Sequence, residues 1–156
     1  MTDSTKFKDS LTRGLEYLHE HQLPNGEFSA YYAPDDKMKE WCVPDSIVFF
    51  TVLIAGSLLE LRNHEKVDTI LKSYSNFLNY QMMRGGVWNY FTKWNPLFSY
   101  SPADVDDTVC SSYVLKSLNI DFVNNKESIL CNRNAKGLFY TWFVIRPIFR
   151  FKRAFL

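Results

Sequence analysis

Paired cysteines and long apolar runs are both missing from this sequence, and each absence excludes a class of protein. The three cysteines, Cys42, Cys110 and Cys131, are odd in number and widely spaced. A disulfide framework is therefore not expected. We expect the protein to reside in a reducing cytoplasm. The most apolar run, Ile47 to Leu59, has 13 residues and is too short to cross a bilayer. The polar amino terminus also lacks the apolar stretch of a secretory signal.

An excess of charge of either sign is missing as well. The net charge is +1, so nothing in the composition favours nucleic acid as a partner. With 46% hydrophobic and 22% charged residues in a chain of 156, the composition is typical of one globular domain with a core. Aromatic residues are abundant, with 13 Phe, 9 Tyr and 4 Trp. That many rings can fill a core or line an apolar cavity.

Helical periodicity dominates the remainder of the sequence. Apolar residues spaced three and four apart predict a first helix around Leu11 to Leu18 and a third over Val67 to Gln81, each with one polar face. A second helix, from about Ile47 to Leu61, and a fourth, starting near Asp106, are apolar on most sides, as buried helices are. Because no stretch alternates as strands do, we expect an all-α fold with outer and inner helices.

A repeat of 60 residues connects these helices. Gly26 and Gly86 each follow a glutamine, and each precedes an aromatic residue by two positions, Phe28 and Trp88. A third copy, Gly137 to Phe139, lacks the glutamine. Glycine gives the backbone the freedom to leave a helix, and the aromatic ring plugs the gap between helices. Two copies in the same register indicate an internally repeated architecture.

Three carboxylates at the predicted start of the fourth helix, Asp104, Asp106 and Asp107, admit four interpretations. They can cap the helix. The letters D-x-D-x-T also fit the nucleophile motif of haloacid-dehalogenase-like phosphatases, which needs a preceding strand where NPLFSYSPA stands here. A calcium loop needs a glycine and a distal glutamate in register, and zinc needs histidines near the cysteines, so no metal and no cofactor are expected. Finally, clustered carboxylates cannot all ionise, so one keeps a proton to donate.

The repeat and the acidic cluster together resemble a known family. The pattern Q-x(3–4)-G-x-[FW] resembles the repeat of squalene cyclases and related class II terpene cyclases, and residues 104–108 resemble their DxDDT motif. The resemblance covers most of residues 9–143 and implies an α/α toroid. Four clear helices and a short one near Asn125–Asn132 are too few for a ring, so an incomplete arc is expected.

The activity implied by this resemblance is the protonation-initiated cyclisation of a hydrophobic polyisoprenoid. Asp106 would be the general acid, and Asp104 and Asp107 would hold and tune it. Aromatic faces would stabilise the cations formed downstream. The candidates for binding substrate are Trp41, Trp88, Tyr90, Trp94 and Tyr100.

Other roles are also consistent with the motifs. An open arc is expected to close by self-association, or to serve as a non-catalytic repeat module that binds a lipid or a partner protein. A subunit of the protein-prenyltransferase type, with zinc and a partner chain, is a further alternative.

The sequence divides into a repeat domain, residues 1–143, and a tail, residues 144–156. The tail carries Arg146, Arg150, Lys152 and Arg153 among bulky apolar residues. Such a segment is expected either to lie on a membrane surface as a basic amphipathic stretch or to be a truncated end that covers an exposed edge. The protein is therefore expected in the cytoplasm, with the tail as a candidate peripheral membrane contact.

Overall fold

The computed structural model describes residues 3–144, so the predicted tail lies outside the described residues except for its first residue, Val144. Within the described residues the α-helices are α1 (Asp3–His21), α2 (Val48–Leu58), α3 (Glu65–Gln81), α4 (Val105–Ser117) and α5 (Lys126–Cys131). A 3₁₀ turn, Leu59–Leu61, continues α2. Each predicted helix is present, because apolar residues at helical spacing bury one face of each long helix.

The prediction of an all-α fold is wrong, because the segments between helices pair as short strands. Strand β1 (Ala30–Tyr32) pairs antiparallel with β2 (Val43–Asp45), and β3 (Trp88–Asn89) pairs antiparallel with β4 (Ala103–Asp104). About 48% of the structure is helical and 14% is in strands, so the fold is mixed α/β rather than an α/α toroid. Two or three residues are too few to show the alternation that identifies a strand in a sequence.

The core lies where α2 and α3 meet, with α1 against α3 and α4 against α2. Helix α3 turns one stripe inward, including Ile70, Tyr74 and Leu78, each 0% exposed. Its opposite face is charged and carries an exposed ion pair of 2.6 Å between Lys72 and Asp68. Burial of each large apolar side chain contributes about 1.5–3 kcal/mol, so this stripe fixes the position of α3.

The repeated motif forms the same tight turn three times. Gly26, Gly86 and Gly137 have φ angles of 91°, 70° and 83°, in the left-handed region that favours glycine. The first two also touch backbone: a Cβ on Gly26 would lie 2.2 Å from the carbonyl oxygen of Ser73, and one on Gly86 would lie 2.1 Å from that of Val123. Glycine is therefore required at both positions for space as well as for conformation.

The first two turns are tied to the helix that follows each of them. The N–H of Phe28 donates to Oγ1 of Thr51, and the N–H of Trp88 donates to Oγ1 of Thr108, both at 3.0 Å. Each threonine is the fourth residue of its helix, α2 or α4. Phe28 and Trp88 are 4% and 0% exposed, whereas Phe139 of the third copy is 50% exposed. The sequence repeat is thus a structural repeat whose third copy stays uncovered in the described residues.

The apolar helix α2 is a core element. It has 11 residues, a length of about 16 Å at 1.5 Å per residue, against a hydrocarbon layer of about 30 Å. Among residues 3–144, no helix combines the length and the apolar character needed to cross a membrane.

Candidate functional site

The acidic cluster occupies the first turn of α4, where its three carboxylates have different surroundings. Asp104 is the N-cap, and its Oδ1 accepts the N–H groups of Asp106 at 2.8 Å and of Asp107 at 3.2 Å. Asp106 is exposed, whereas Asp107 is only 1% exposed. Asp104 therefore caps the helix. The carboxyl groups of Asp106 and Asp107 take no part in that cap.

Asp107 retains its proton at neutral pH. Burial, together with the nearby charges of Asp104 and Asp106, raises the pKa of Asp107 to about 8. Its Oδ1 is buried and has no hydrogen-bond partner among the described residues, and the same holds for the hydroxyl oxygens of Tyr74 and Ser111. Burial also raises the pKa of Tyr74 well above its usual value, with the charge of Asp107 contributing. The inner side of α4 thus holds a neutral carboxyl group.

An apolar surface, which we call the α2–α4 face, runs along these two helices from the acidic cluster. It consists of Phe50, Leu53, Val109 and Tyr113, which are 51%, 46%, 44% and 61% exposed. A groove of about 430 Å³ lies between the helices, and Cys110 forms part of its wall. Asp106 precedes Val109 by three residues and so lies on the same side of α4. The face therefore combines an apolar groove with an exposed carboxylate at one end.

Sequence reasoning missed the residues of this face. On α2 the exposed positions Phe50, Leu53 and Ser57 recur at helical spacing, and on α4 Asp106, Val109 and Tyr113 do the same. The spacing was present in the sequence. Because apolar residues lie on most sides of both helices, Ser57 and Asp106 alone were too few to mark which side faces solvent.

The aromatic residues predicted to bind substrate do not line the α2–α4 groove. Trp88 is fully buried in the core, and its Nε1 donates to the carbonyl of Leu78 at 2.9 Å. Trp41 and Trp94 lie in connecting segments and are 47% and 44% exposed, and Tyr100 is 85% exposed. The described structure therefore gives these four rings separate locations.

Tyr90 is the predicted aromatic residue with an electrostatic link to the acidic cluster. Its ring lies 6.2 Å from that of Phe49 and 5.0 Å from that of Phe91. Burial raises its pKa, and the charges of Asp45 and Asp107 contribute. Its carbonyl oxygen accepts the first N–H of α2 at 2.7 Å, so Tyr90 joins the second repeat to the first.

A second polar cluster also joins the first two repeats. The hydroxyl of Ser46 donates to Oε1 of Glu27 at 2.5 Å and accepts Nε1 of Trp94 at 2.5 Å, with Oγ1 of Thr92 at 2.6 Å. Glu27 is only 3% exposed. Since the Ser46 hydroxyl is engaged on all sides, this cluster holds the turns together and leaves no hydroxyl available for chemistry.

Two of the other interpretations of the acidic cluster have no support in the described structure. Residues 3–144 contain no group of three or more His, Cys, Asp or Glu side chains that could hold a metal ion. The strand before the D-x-D-x-T letters, β4, has two residues and pairs antiparallel with β3. A phosphatase of the haloacid-dehalogenase type needs a parallel sheet at this point, so that interpretation is excluded for this part of the chain.

Comparison with known proteins gives no relative: no protein-family model, curated protein or solved structure matches this chain. The resemblance to class II terpene cyclases therefore depends on the turn motifs and on residues 104–108 alone. The geometry itself offers an exposed apolar groove with a carboxyl cluster at its end.

Proposed function

We propose that the protein binds an unsaturated apolar chain of the polyisoprenoid class on the α2–α4 face. The observation that carries this proposal is the exposure of four large apolar side chains on adjacent helices, three of which, Leu53, Val109 and Tyr113, line one groove. Apolar surface left in water costs about 25 cal/mol per Å², and contiguous apolar patches mark interaction sites. The groove of about 430 Å³ is within the range of small-molecule sites, about 300–1,000 Å³.

The aromatic members of the face favour an unsaturated chain over a saturated one. Phe50 and Tyr113 are 51% and 61% exposed. Aromatic rings interact with π-systems and with cations beyond simple apolar burial. The resemblance of residues 104–108 to the DxDDT motif points to the same substrate class.

Direct binding tests this proposal. We expect geranylgeraniol to bind the full chain in a calorimetric titration, and Leu53→Asp to weaken that binding at least tenfold. The control is Phe7→Asp, because Phe7 is a 70% exposed apolar residue on α1, away from the groove. Hexadecanol is a saturated comparison of similar length. Equal affinity for hexadecanol, or equal binding by both variants, would overturn the proposal.

A second candidate function is protonation of the bound chain, and the state of Asp107 favours it. A cluster that keeps a proton at neutral pH next to an apolar groove has the two elements that alkene protonation needs. Asp106 is the member on the groove side of α4, so it would be the general acid. Asp107 would keep a proton within the cluster, and Asp104 would cap the first turn of α4.

The chemistry of this candidate is a proton transfer without a metal ion. The proton of the Asp106 carboxyl group would move to one carbon of a terminal double bond, leaving a cation on the more substituted carbon. An internal double bond would attack that cation to close a ring, the cyclised cation would lose a proton to water to give a neutral alkene, and the Asp106 carboxylate would take up a proton from water to restore the acid. Substrate that covers Asp106 would exclude water from the site of proton transfer.

Product analysis separates the two candidates. Squalene, oxidosqualene and geranylgeranyl diphosphate would be incubated with the protein and analysed by gas chromatography and mass spectrometry. Cyclic products that Asp106→Asn abolishes would support catalysis. Binding of geranylgeraniol without any product would leave the binding module as the function and reject the cyclase.

The cellular setting that fits these proposals is a reducing cytoplasm. Cys42, Cys110 and Cys131 are all unpaired, and Cys42 is exposed, where an oxidising compartment would make it reactive. An apolar substrate is also consistent with the proposal of a peripheral membrane contact.

A further inference from the structure

An aromatic cleft lies beside α3, where the first turn of the repeat and the segment after β3 meet that helix. Its volume is about 340 Å³. The wall combines three aromatic rings with three small polar side chains: Phe77, Tyr80 and Trp94 with Asn25, Ser73 and Asn76. We call this feature the Trp94 cleft. It shares no residue with the α2–α4 face, so the two are separate candidate sites.

One side of α3 supplies most of the wall. Ser73, Asn76, Phe77 and Tyr80 follow the spacing of three and four residues that brings side chains to one side of a helix. Phe77 is 2% exposed and Tyr80 is 61% exposed, so this row runs from the core to solvent. A site built on a helix is held more precisely than one built on loops alone.

Trp94 is fixed in place although it lies in a connecting segment. Its Nε1 donates to the hydroxyl of Ser46 at 2.5 Å, and that hydroxyl donates to the buried carboxyl group of Glu27. The indole stacks on the ring of Tyr80, with centroids 5.7 Å apart and 27° between planes, and makes a T-shaped contact with Phe77 at 6.0 Å. Trp94 is nevertheless 44% exposed. Such a ring loses little conformational freedom when a ligand binds.

The aromatic rings provide a platform and not a slot. A flat ring inserted between Tyr80 and Trp94 would need about 7 Å between them, twice the contact distance of about 3.5 Å. The two centroids are only 5.7 Å apart, because the rings already stack on each other. A nucleobase sandwiched between two side chains, or a proline ring in an aromatic groove, therefore finds no slot here. A ligand that packs one apolar side on a ring needs none.

The charge of the cleft favours a neutral ligand. Its described wall contains no charged side chain. Lys93, next to Trp94 in sequence, is engaged elsewhere: its Nζ donates to the carbonyls of Tyr80 and Met82 at 2.5 and 3.1 Å. An anion would therefore lack a free cation in the wall. A purely apolar ligand would cover the amide of Asn76 without offering it a partner.

We propose that the Trp94 cleft binds a neutral pyranose sugar, with its C–H side packed on Trp94 and its hydroxyl groups bonded to Asn76 and Ser73. The axial C–H groups of a pyranose are attracted to the negative face of an aromatic ring. Its hydroxyl groups both donate and accept, as do the amide and hydroxyl of the wall.

Size agrees with this class of ligand. The volume of about 340 Å³ is near the lower end of the range for small-molecule sites, about 300–1,000 Å³, and suits one or two sugar rings. The inference goes beyond the proposed binding of isoprenoids and does not need it, because the two sites have no residue in common.

Titration followed by nuclear magnetic resonance tests the proposal. The ¹⁵N-labelled full chain is titrated with methyl β-glucopyranoside, methyl β-galactopyranoside and cellobiose, and separately with uridine and hexaproline. We expect at least one sugar to shift the indole N–H signal of Trp94 saturably. The expected dissociation constant is about 1 mM, the affinity of a ligand of this size at ordinary efficiency. Trp94→Phe identifies that signal among the four tryptophans.

Matched variants locate the sugar. Trp94→Ala should weaken binding at least tenfold, measured on the backbone signal of Asn76, whereas Trp41→Ala, at a tryptophan 47% exposed in another connecting segment, should not. Asn76→Ala should weaken binding at least threefold, measured on the Trp94 signal. Its control is Asn79→Ala, because Asn79 is also an exposed asparagine of α3 and lies outside the cleft wall. The spectrum of each variant confirms that it is folded.

Three results would overturn the proposal. No saturable shift with any of the three sugars would remove the sugar site. Uridine or hexaproline binding at the cleft as tightly as the best sugar would assign it to a nucleobase or to a proline-rich peptide. Sugar binding that is unchanged in both Trp94→Ala and Asn76→Ala would place the sugar elsewhere on the protein.

Discussion

The backbone N–H of Trp88 donates to the hydroxyl of Thr108 across 3.0 Å, at the point where β3 meets α4. The same hydroxyl lies 3.5 Å from the carbonyl of Trp88. One repeat earlier, Thr51 accepts the N–H of Phe28 in the same way. Both threonines are 0% exposed, so a hydroxyl in the first turn of α2 and of α4 is a fixed requirement of the repeat.

Thr108→Val should destabilise the protein by about 1–3 kcal/mol, because the substitution keeps the shape but leaves the buried N–H of Trp88 unsatisfied. Thr51→Val should cost a similar amount. Urea denaturation monitored by circular dichroism measures both. The control is Thr108→Ser, which keeps the hydroxyl and should retain more stability than the valine variant. A valine variant as stable as the wild type would show that the bond contributes nothing.

Gly86→Ala should cost about 2–5 kcal/mol, since the new Cβ meets the backbone of Val123 and the φ angle of 70° adds strain. Gly26→Ala should lose a similar amount of stability. Gly137 is the matched control: its φ is 83°, but a Cβ there meets nothing within 4 Å, so its alanine variant should lose only about 1–2 kcal/mol. Equal losses at Gly86 and Gly137 in thermal denaturation would contradict the importance of the close contact.

The helices and the repeat were predictable from the sequence, but the sheets were not. Helix α3 has a polar face and an apolar stripe over 17 residues, which gives a strong periodic signal. Strands β3 and β4 have two residues each, and their pairing depends on how the turn folds back, which local sequence does not encode. The all-α prediction failed for this reason.

The candidate site was predictable only in part. The first turn of α4 was located correctly, because three carboxylates before an apolar helix mark a helix start. Which carboxylate is buried was not predictable, since the difference between Asp106 and Asp107 is one step of about 100° around the helix. Their sides are set by the packing of α4 against α2 and β3, which is tertiary information.

Ser46→Ala should destabilise the protein by about 2–3 kcal/mol, because it removes a hydroxyl that bonds the buried carboxyl group of Glu27. It also frees Nε1 of Trp94, so the accessibility of Trp94 to the fluorescence quencher acrylamide should increase. Ser57→Ala is the matched control: that exposed hydroxyl bonds only the carbonyl of Leu53 in its own helix, and its loss should stay within about 0.5 kcal/mol. Similar effects of the two alanine variants would argue against a structural role for the cluster.

The buried carboxyl group of Asp107 should make stability fall as pH rises. Its pKa is raised from 3.8 to about 8 in the folded protein, so between these values the folded state holds a proton that the unfolded chain has lost. The free energy of unfolding from this group is therefore greatest below about pH 4 and decreases by up to about 1.4 kcal/mol per pH unit until about pH 8.

Asp107→Asn isolates this contribution, because the amide imitates the neutral carboxyl group and does not titrate. Urea denaturation at pH 5, 6.5 and 8 should show that the stability of the wild type falls with pH more steeply than that of Asp107→Asn. The free energy of unfolding of the variant should therefore rise relative to that of the wild type at each higher pH. Asp106→Asn should shift the decrease to lower pH, because the charge of Asp106 contributes to the raised pKa of Asp107. Asp121→Asn, an exposed carboxylate, should keep the wild-type slope. Parallel pH profiles for the wild type and Asp107→Asn would mean that Asp107 is ionised in the folded protein, which would also remove the retained proton from the candidate catalytic mechanism.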